Sequence, residues 1–382
     1  MRLERSIPAE ALDAIRAPLA AYSPASIDVP VLQPLGLILD MAGESMRSRL
    51  FAVSGGDGGE EACLRPDFTV AVAREHLAST VGQGRYYYEG KAFRVAPRGS
   101  GRAEEFLQVG IEAFEPNEPV VADAEIVAMA WRSAAAGGRE DLSLILGDVS
   151  LFSAFVDSLR LPVQLAVRLK RAFAHPRLMK RELEGEDAEP LPAERSRLAL
   201  MLAQMPGEAA AEVLQELWAL AGIEPVGGRR PAEIAARLVE RSQKVLAGRL
   251  TREQADQVRA YLAVSGRPME ALGEIRALAG RDPRPLEKAL AAWSARLDLL
   301  RRLEVPPERM TLSAAFGRSF GYYDGFLFEV RSAALGEERP VAAGGRYDGL
   351  LARLETPGEE AARTGAVGCM VRPARAYAGG GE

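Results

Sequence analysis

The chain has 382 residues, 48% of them hydrophobic and 26% charged, with a formal net charge of −5. That length allows a large buried core and a division into two lobes, and the acidic balance argues against a nucleic-acid surface, which needs a basic domain or stripe. The only cysteines are Cys63 and Cys369 and the only histidines His76 and His175, too few for a disulfide framework or a Cys/His metal cluster, so a reduced cytoplasmic setting is expected. A Cys–His catalytic pair has no local signature to support it. The N-terminus, MRLERSIPAEALDAIRAPLA, is charged and lacks the apolar run of a signal peptide. No stretch approaches 18 uninterrupted apolar residues, so no membrane span is expected.

In chain order, Pro8 to Ala17 reads as an amphipathic helix that Pro18 should end. Ser26 to Leu32 (SIDVPVL) reads as a strand, and Leu35 to Leu50 as a helix. SGGDGGEE, from Ser54 to Glu61, resembles a phosphate-binding glycine loop only superficially, lacking the Lys and Ser/Thr that would hold an anion. In CLRPDFTV, Pro66 stops a strand, and Asp67 and Thr69 take a cap or first-turn role as their default reading.

Gly84 to Glu115 forms the centre of the pattern. It reads as a hairpin: YYYEGKAFRV, a Pro/Gly/Ser-rich turn from Ala96 to Gly101, then EEFLQVGIEAF. In the second strand Leu107, Val109, Ile111 and Ala113 take the core side. Period two then places Phe106, Gln108, Gly110, Glu112 and Phe114 on the other face. That face is either solvated or the polar floor of a ligand site, with Gly110 opening space above it and Arg94, Arg98 and Arg102 in the adjoining loop.

Pro119 to Ala136 reads as a helix ending at Gly137-Gly138, and LSLIL (Leu142 to Leu146) as a buried strand. From Leu151 to Leu303 the segments are helical and punctuated by prolines, with no strand signal. The basic run Arg168, Lys170, Arg171, Arg177, Lys180 and Arg181 reads first as a solvated helix face and second as a partner surface. Strands return at Arg309 to Leu312, Tyr322 to Arg331, Val341 to Gly344 and Gly365 to Val371, with a Gly344–Gly349 turn leading into a helix at GLLARL.

Five segments together resemble the catalytic core of a class II aminoacyl-tRNA synthetase of the histidyl type: CLRPDFTVAVARE, KAFRVAPRGSGRAEEFLQVGIEAF, GRSFGYYDGFLFEV, AAGGRYDGLL and GAVGCMVRPAR. The resemblance implies an α+β fold, a mainly antiparallel sheet flanked by helices, with a helical insertion. Residues 1–148 and 309–382 would form the core, residues 149–308 the insertion, and no anticodon-binding domain would follow. It also implies a histidine pocket. Asp67, Thr69 and Gln108 would hold the ammonium group, Glu112, Tyr323 and Tyr347 would face the imidazole, and Arg318 would fork onto the carboxylate. Arg94 and Arg375 match the arginines that hold nucleotide phosphate. No cofactor or metal is implied.

The departures from the synthetases carry the functional expectation. Val95, Ala96 and Pro97 replace the polar residues after the Phe93-Arg94 pair, Gly321 stands where an acid belongs, and Asp67 is one methylene shorter than the usual Glu. Each lost buried partner weakens a site by about 1–3 kcal/mol, so the ATP site is eroded more than the histidine site. The whole pattern resembles the regulatory subunits of ATP phosphoribosyltransferase. It implies a non-catalytic chain, a homodimer through the Ile27–Leu50 region, that partners a short catalytic subunit in histidine biosynthesis with L-histidine as effector. Two alternatives are a truncated histidyl-tRNA synthetase-like adenylate-forming ligase and an amino-acid sensor serving another partner.

Overall fold

The computed structural model of the chain describes residues 2–22, 24–54, 61–79, 82–114, 118–184, 249–317, 321–354 and 365–379, with isolated positions between 205 and 217. The chain forms two compact units, one of residues 1–155, 261–279 and 283–382, the other of 156–260 and 280–282.

The first unit is built on a nine-stranded mixed sheet. Its strands are β1 (Ala25–Ser26), β5 (Gly84–Phe93), β6 (Glu105–Phe114), β7 (Leu142–Asp148), β8 (Ser265–Gly266), β9 (Met310–Ser313), β10 (Phe326–Ser332), β11 (Ala342–Arg346) and β12 (Ala366–Val371), in the order β1-β5-β6-β12-β11-β10-β7-β9-β8. Among the named strands of the described residues, β1–β5 and β7–β9 pair in parallel and the other pairs are antiparallel. A separate small antiparallel sheet joins β2 (Leu32–Pro34), β4 (Ala62–Leu64) and β3 (Ala52–Val53). The expected hairpin is β5–β6, paired from Gly84↔Phe114 to Phe93↔Glu105.

Several local expectations are corrected. Helix α1 (Ala9–Ala20) runs through Pro18. The proline removes one helical hydrogen bond near the end, and full burial of Ile15 and Leu19 holds the last turn in place. SIDVPVL is not one strand, since β1 ends at Ser26 and β2, in the other sheet, begins at Leu32. The helix expected through Leu50 stops at Ala42, because Gly43 turns to φ +99 and a 3-10 segment, Glu44–Arg49, follows. Strand β10 starts at Phe326 rather than Tyr322, and the two-residue strand β8 lies in the stretch that gave no strand signal.

Helix α4 (Pro119–Ala135) lies along β10, β11 and β12, and α1 and the helix Arg284–Arg302 pack on it. This last helix belongs to the first unit although its sequence reads as part of the helical middle. Its Arg296 reaches the fully buried Asp123 of α4 at 2.6 Å, and Arg346 reaches the same carboxylate at 2.7 Å. Arg346 also bonds Asp348 at 2.9 Å, which fixes the turn after β11.

In the second unit the helices Val163–Ala172 and Pro176–Glu184 pack together. Arg168 pairs with Glu182 and Lys170 with Asp157, while Arg171, Arg177, Lys180 and Arg181 are exposed. No helix among the described residues is long and apolar enough to cross a membrane.

Candidate functional site

The site forms where helix α3 (Thr69–Ala78) and the turn after β11 meet the even face of β6. Pro66 ends the approach to α3, but the capping residue is Phe68 and no side chain caps the helix. The default reading of Asp67 as a cap is therefore wrong. Its carboxylate is 8% exposed and accepts a hydrogen bond from Tyr322 Oη at 3.2 Å. Thr69, in the first helical turn, donates its hydroxyl to Glu112 Oε1 at 2.7 Å. Tyr347 donates to the other oxygen, Oε2.

Glu112 is the centre of this arrangement. It is 2% exposed in the middle of a strand, so the even face of β6 is not solvated. Burial pushes its carboxyl up to about 8, with the nearby Asp67 adding to the shift and the Tyr347 and Thr69 hydroxyls opposing it. At neutral pH the group is therefore mostly protonated. Its partner across the ladder is Gly368, where a Cβ would lie 1.7 Å from Glu112 Oε2. Only glycine leaves space for the carboxyl there.

Gly110 does leave space above the sheet, but Tyr88 fills it. A Cβ at Gly110 would lie 2.3 Å from Tyr88 Oη and from the Cys369 carbonyl oxygen, and Tyr88 reaches across to donate to that carbonyl at 3.3 Å. Its ring stacks on Phe68 at 4.3 Å. Gln108 shares the face with Glu112 but sits opposite Gly90 and outside the cavity wall. It is fully buried, and neither amide atom has a hydrogen-bond partner.

Asp67, Thr69, Glu112 and Tyr323 line a cavity of about 10 Å³, together with Tyr88 and Tyr322. That is room for about one water, so an amino acid cannot enter until the walls move. Tyr347 stands behind Glu112 rather than in the wall. Arg318 lies outside the described residues. The sequence reading missed Tyr88 and Tyr322, although the Tyr88↔Gly110 register was open to inspection in the hairpin. Both cysteines are buried and their thiols raised, Cys63 to about 11 and Cys369 to about 12; no reactive thiolate lies here.

A larger cleft of about 760 Å³ adjoins, with Arg94 and Met370 in both walls. Arg94 donates to the Pro66 carbonyl at 2.7 Å, and burial pushes its guanidinium down to about 10 against the pull of Asp67. Arg375, 6% exposed, donates to the Pro340 carbonyl at 3.1 Å. Arg102 also lines the cleft, while Arg98, expected beside it, does not.

The histidyl-tRNA synthetase family profile matches residues 22–228 and 226–369. An ATP phosphoribosyltransferase regulatory subunit of Brucella anthropi is 33% identical over 348 residues, covering 90% of both chains, and that of Brucella canis is 34% identical over the same share. The chain belongs to the ATP phosphoribosyltransferase regulatory subunit family. Solved structures similar to it share the fold. One is an ATP phosphoribosyltransferase regulatory subunit/histidyl-tRNA synthetase from Bacillus halodurans, with TM-score 0.65 at 18% identity over 99% of this chain and 81% of that one. Another is a histidine–tRNA ligase subunit from Alicyclobacillus acidocaldarius, with TM-score 0.54 at 20% identity over 98% and 95%. The architecture is thus the class II synthetase-like α+β fold expected from the motifs.

Proposed function

We propose that this chain is a non-catalytic regulatory subunit that assembles with a short ATP phosphoribosyltransferase catalytic subunit in the cytoplasm and carries feedback by L-histidine. Family membership supports the regulatory role. The observation that carries the histidine assignment is the convergence of Thr69, Tyr347 and Asp67 on the buried carboxyl of Glu112. A buried imidazole needs a hydrogen-bond partner that can give or take a proton, and Glu112 with a carboxyl near 8 meets that need. Asp67 supplies negative charge for an ammonium group, and Arg318 is assigned to the carboxylate. Gln108, fully buried with both amide atoms unpartnered, is assigned to the ammonium group once the Tyr88 ring moves.

Histidine binding then requires opening of the cavity, and this links the pocket to assembly. A ligand shifts a two-state equilibrium by its differential affinity for the two states, and substrates on the catalytic subunit must change histidine affinity by the same factor. The test is the rate of ATP and phosphoribosyl pyrophosphate condensation by the short catalytic subunit, with and without this chain, at rising histidine. Activation by the chain, inhibition by histidine, and loss of that inhibition in Thr69→Val with activation retained are expected. Absence of activation, or inhibition unchanged in Thr69→Val and Glu112→Gln alike, would sink the assignment.

A further inference from the structure

Tyr322, Tyr323 and Tyr347 form one aromatic corner at the pocket, although they come from two segments of the chain. The Tyr322 ring lies 4.7 Å from Tyr323 and 5.8 Å from Tyr347, and Tyr323 lies 6.2 Å from Tyr347, centroid to centroid. Such ring contacts are individually weak and do not fix a wall by themselves. The turn that carries Tyr347 is tied to the sheet. Tyr347 donates its N–H to the Ala366 carbonyl at 2.8 Å, and Ala366 donates its own to Asp348 Oδ1 at 2.8 Å. Tyr347 therefore meets Glu112 from a fixed frame. Tyr322 and Tyr323 have no such frame, since β10 begins only at Phe326.

Asp324 supplies the connection. Its Oδ1 accepts the Asp348 N–H at 3.1 Å and its Oδ2 the Gly349 N–H at 2.6 Å, while its own N–H donates to the Arg346 carbonyl at 3.2 Å. A carboxylate that takes two backbone donors makes a charge-assisted, oriented link. Gly349 permits the approach, because a Cβ there would lie 2.8 Å from Asp324 Oδ2. The plainer account is a cap on the short helix Gly349–Leu354, whose first amides need acceptors. The adjoining Asp348 is of a type that caps well, but its carboxylate is engaged by Arg346 and Ala366. The acceptor comes instead from the residue beside Tyr323, and Asp324 itself is outside the cavity wall.

The geometry points to Asp324 as a positioning residue of the histidine site, one that staples the Tyr322–Tyr323 segment to the Tyr347 turn and so fixes Tyr323 relative to Glu112. This assignment rests on the histidine reading above. Opening the cavity displaces Tyr322 from Asp67, and without the staple Tyr323 would leave with it. Each side chain freed in this way has to be ordered again when the ligand binds.

The experiment is calorimetric titration of the full-length chain with L-histidine, in the parent, Asp324→Ala, Gly349→Ala, Tyr323→Ala and the Asp324→Ala/Tyr323→Ala double variant. Asp324→Ala should weaken histidine about tenfold, and Gly349→Ala, which pushes the carboxylate away from the other side, should weaken it too. Tyr323→Ala should weaken the parent but change the Asp324→Ala chain by less than about twofold, because the ring is already out of place there. A mere helix cap would lower the urea midpoint and leave this coupling absent. Affinity within about twofold of the parent in both Asp324→Ala and Gly349→Ala, or a Tyr323→Ala cost that is equal in the two backgrounds, would overturn the staple alone. A parent chain that does not bind histidine would overturn the histidine reading and the staple with it. If Asp324→Ala fails to fold, Gly349→Ala carries the same comparison with Tyr323→Ala.

Discussion

Replacing Glu112 with Gln tests the electrostatics of the pocket without ligand. The Glu112 carboxyl rises from an ordinary 4.5 to about 8 because the fold takes it out of water. Between those values the unfolded chain is ionised there while the folded chain holds a proton, so stability falls as pH rises. Below 4.5 both states are protonated and there is no penalty; above about 8 both are ionised and the penalty is at its full value. The slope is about 1.4 kcal/mol per pH unit, or roughly 5 kcal/mol across the window. Glutamine keeps the shape and an acceptor for Thr69 or Tyr347 but has no proton to lose. Urea unfolding of both proteins at pH 5, 6, 7 and 8 measures the difference. The Glu112→Gln chain should gain on the parent steadily with each unit. A difference that stays flat from pH 5 to pH 8 would mean that Glu112 is ionised in the folded protein, and the reasoning about a neutral carboxyl would fail.

Two further outcomes follow from packing. Gly368→Ala puts a methyl group 1.7 Å from Glu112 Oε2; overpacking should cost about 1–3 kcal/mol in urea unfolding and remove histidine binding in calorimetry, whereas an unchanged midpoint would show that the strand can shift. Asp123→Ala leaves Arg296 and Arg346 buried without their shared carboxylate and should destabilise the chain by about 3–5 kcal/mol, read as a lower urea midpoint with the slope unchanged.

The sequence was most informative where chemistry and local geometry coincide. Period two in EEFLQVGIEAF placed Gln108 and Glu112 on one face, and β5 and β6 form the hairpin expected there. What it could not show depends on contacts between distant segments. Asp67 looked like a cap because the stop at Pro66 is local, while Tyr322, its partner, is 255 positions away. Gly110 correctly signalled space above the sheet, but only the folded hairpin shows that Tyr88 occupies it. The seat of the Arg372 guanidinium over the Phe106 ring was hidden for the same reason, since Glu4, Phe106 and Arg372 lie far apart in the chain. The protonated state of Glu112 is a property of burial and has no sequence signature.

The shut pocket and the neutral carboxyl bear on the same proposed switch. Free histidine is half protonated near pH 6.5, and Glu112 holds its own proton up to about 8. If the bound pair shares one proton between imidazole and carboxyl, then from about pH 6.5 to 8 that proton is already present on Glu112 and binding neither takes up nor releases one. Outside this range affinity should fall about tenfold per pH unit, by release of a surplus proton on the acid side and by uptake of a missing one on the basic side. Ordinary physiological variation would then leave the effector's affinity constant. A partner that held the Tyr88 and Tyr322 walls open or shut would then change that affinity without any change in pH.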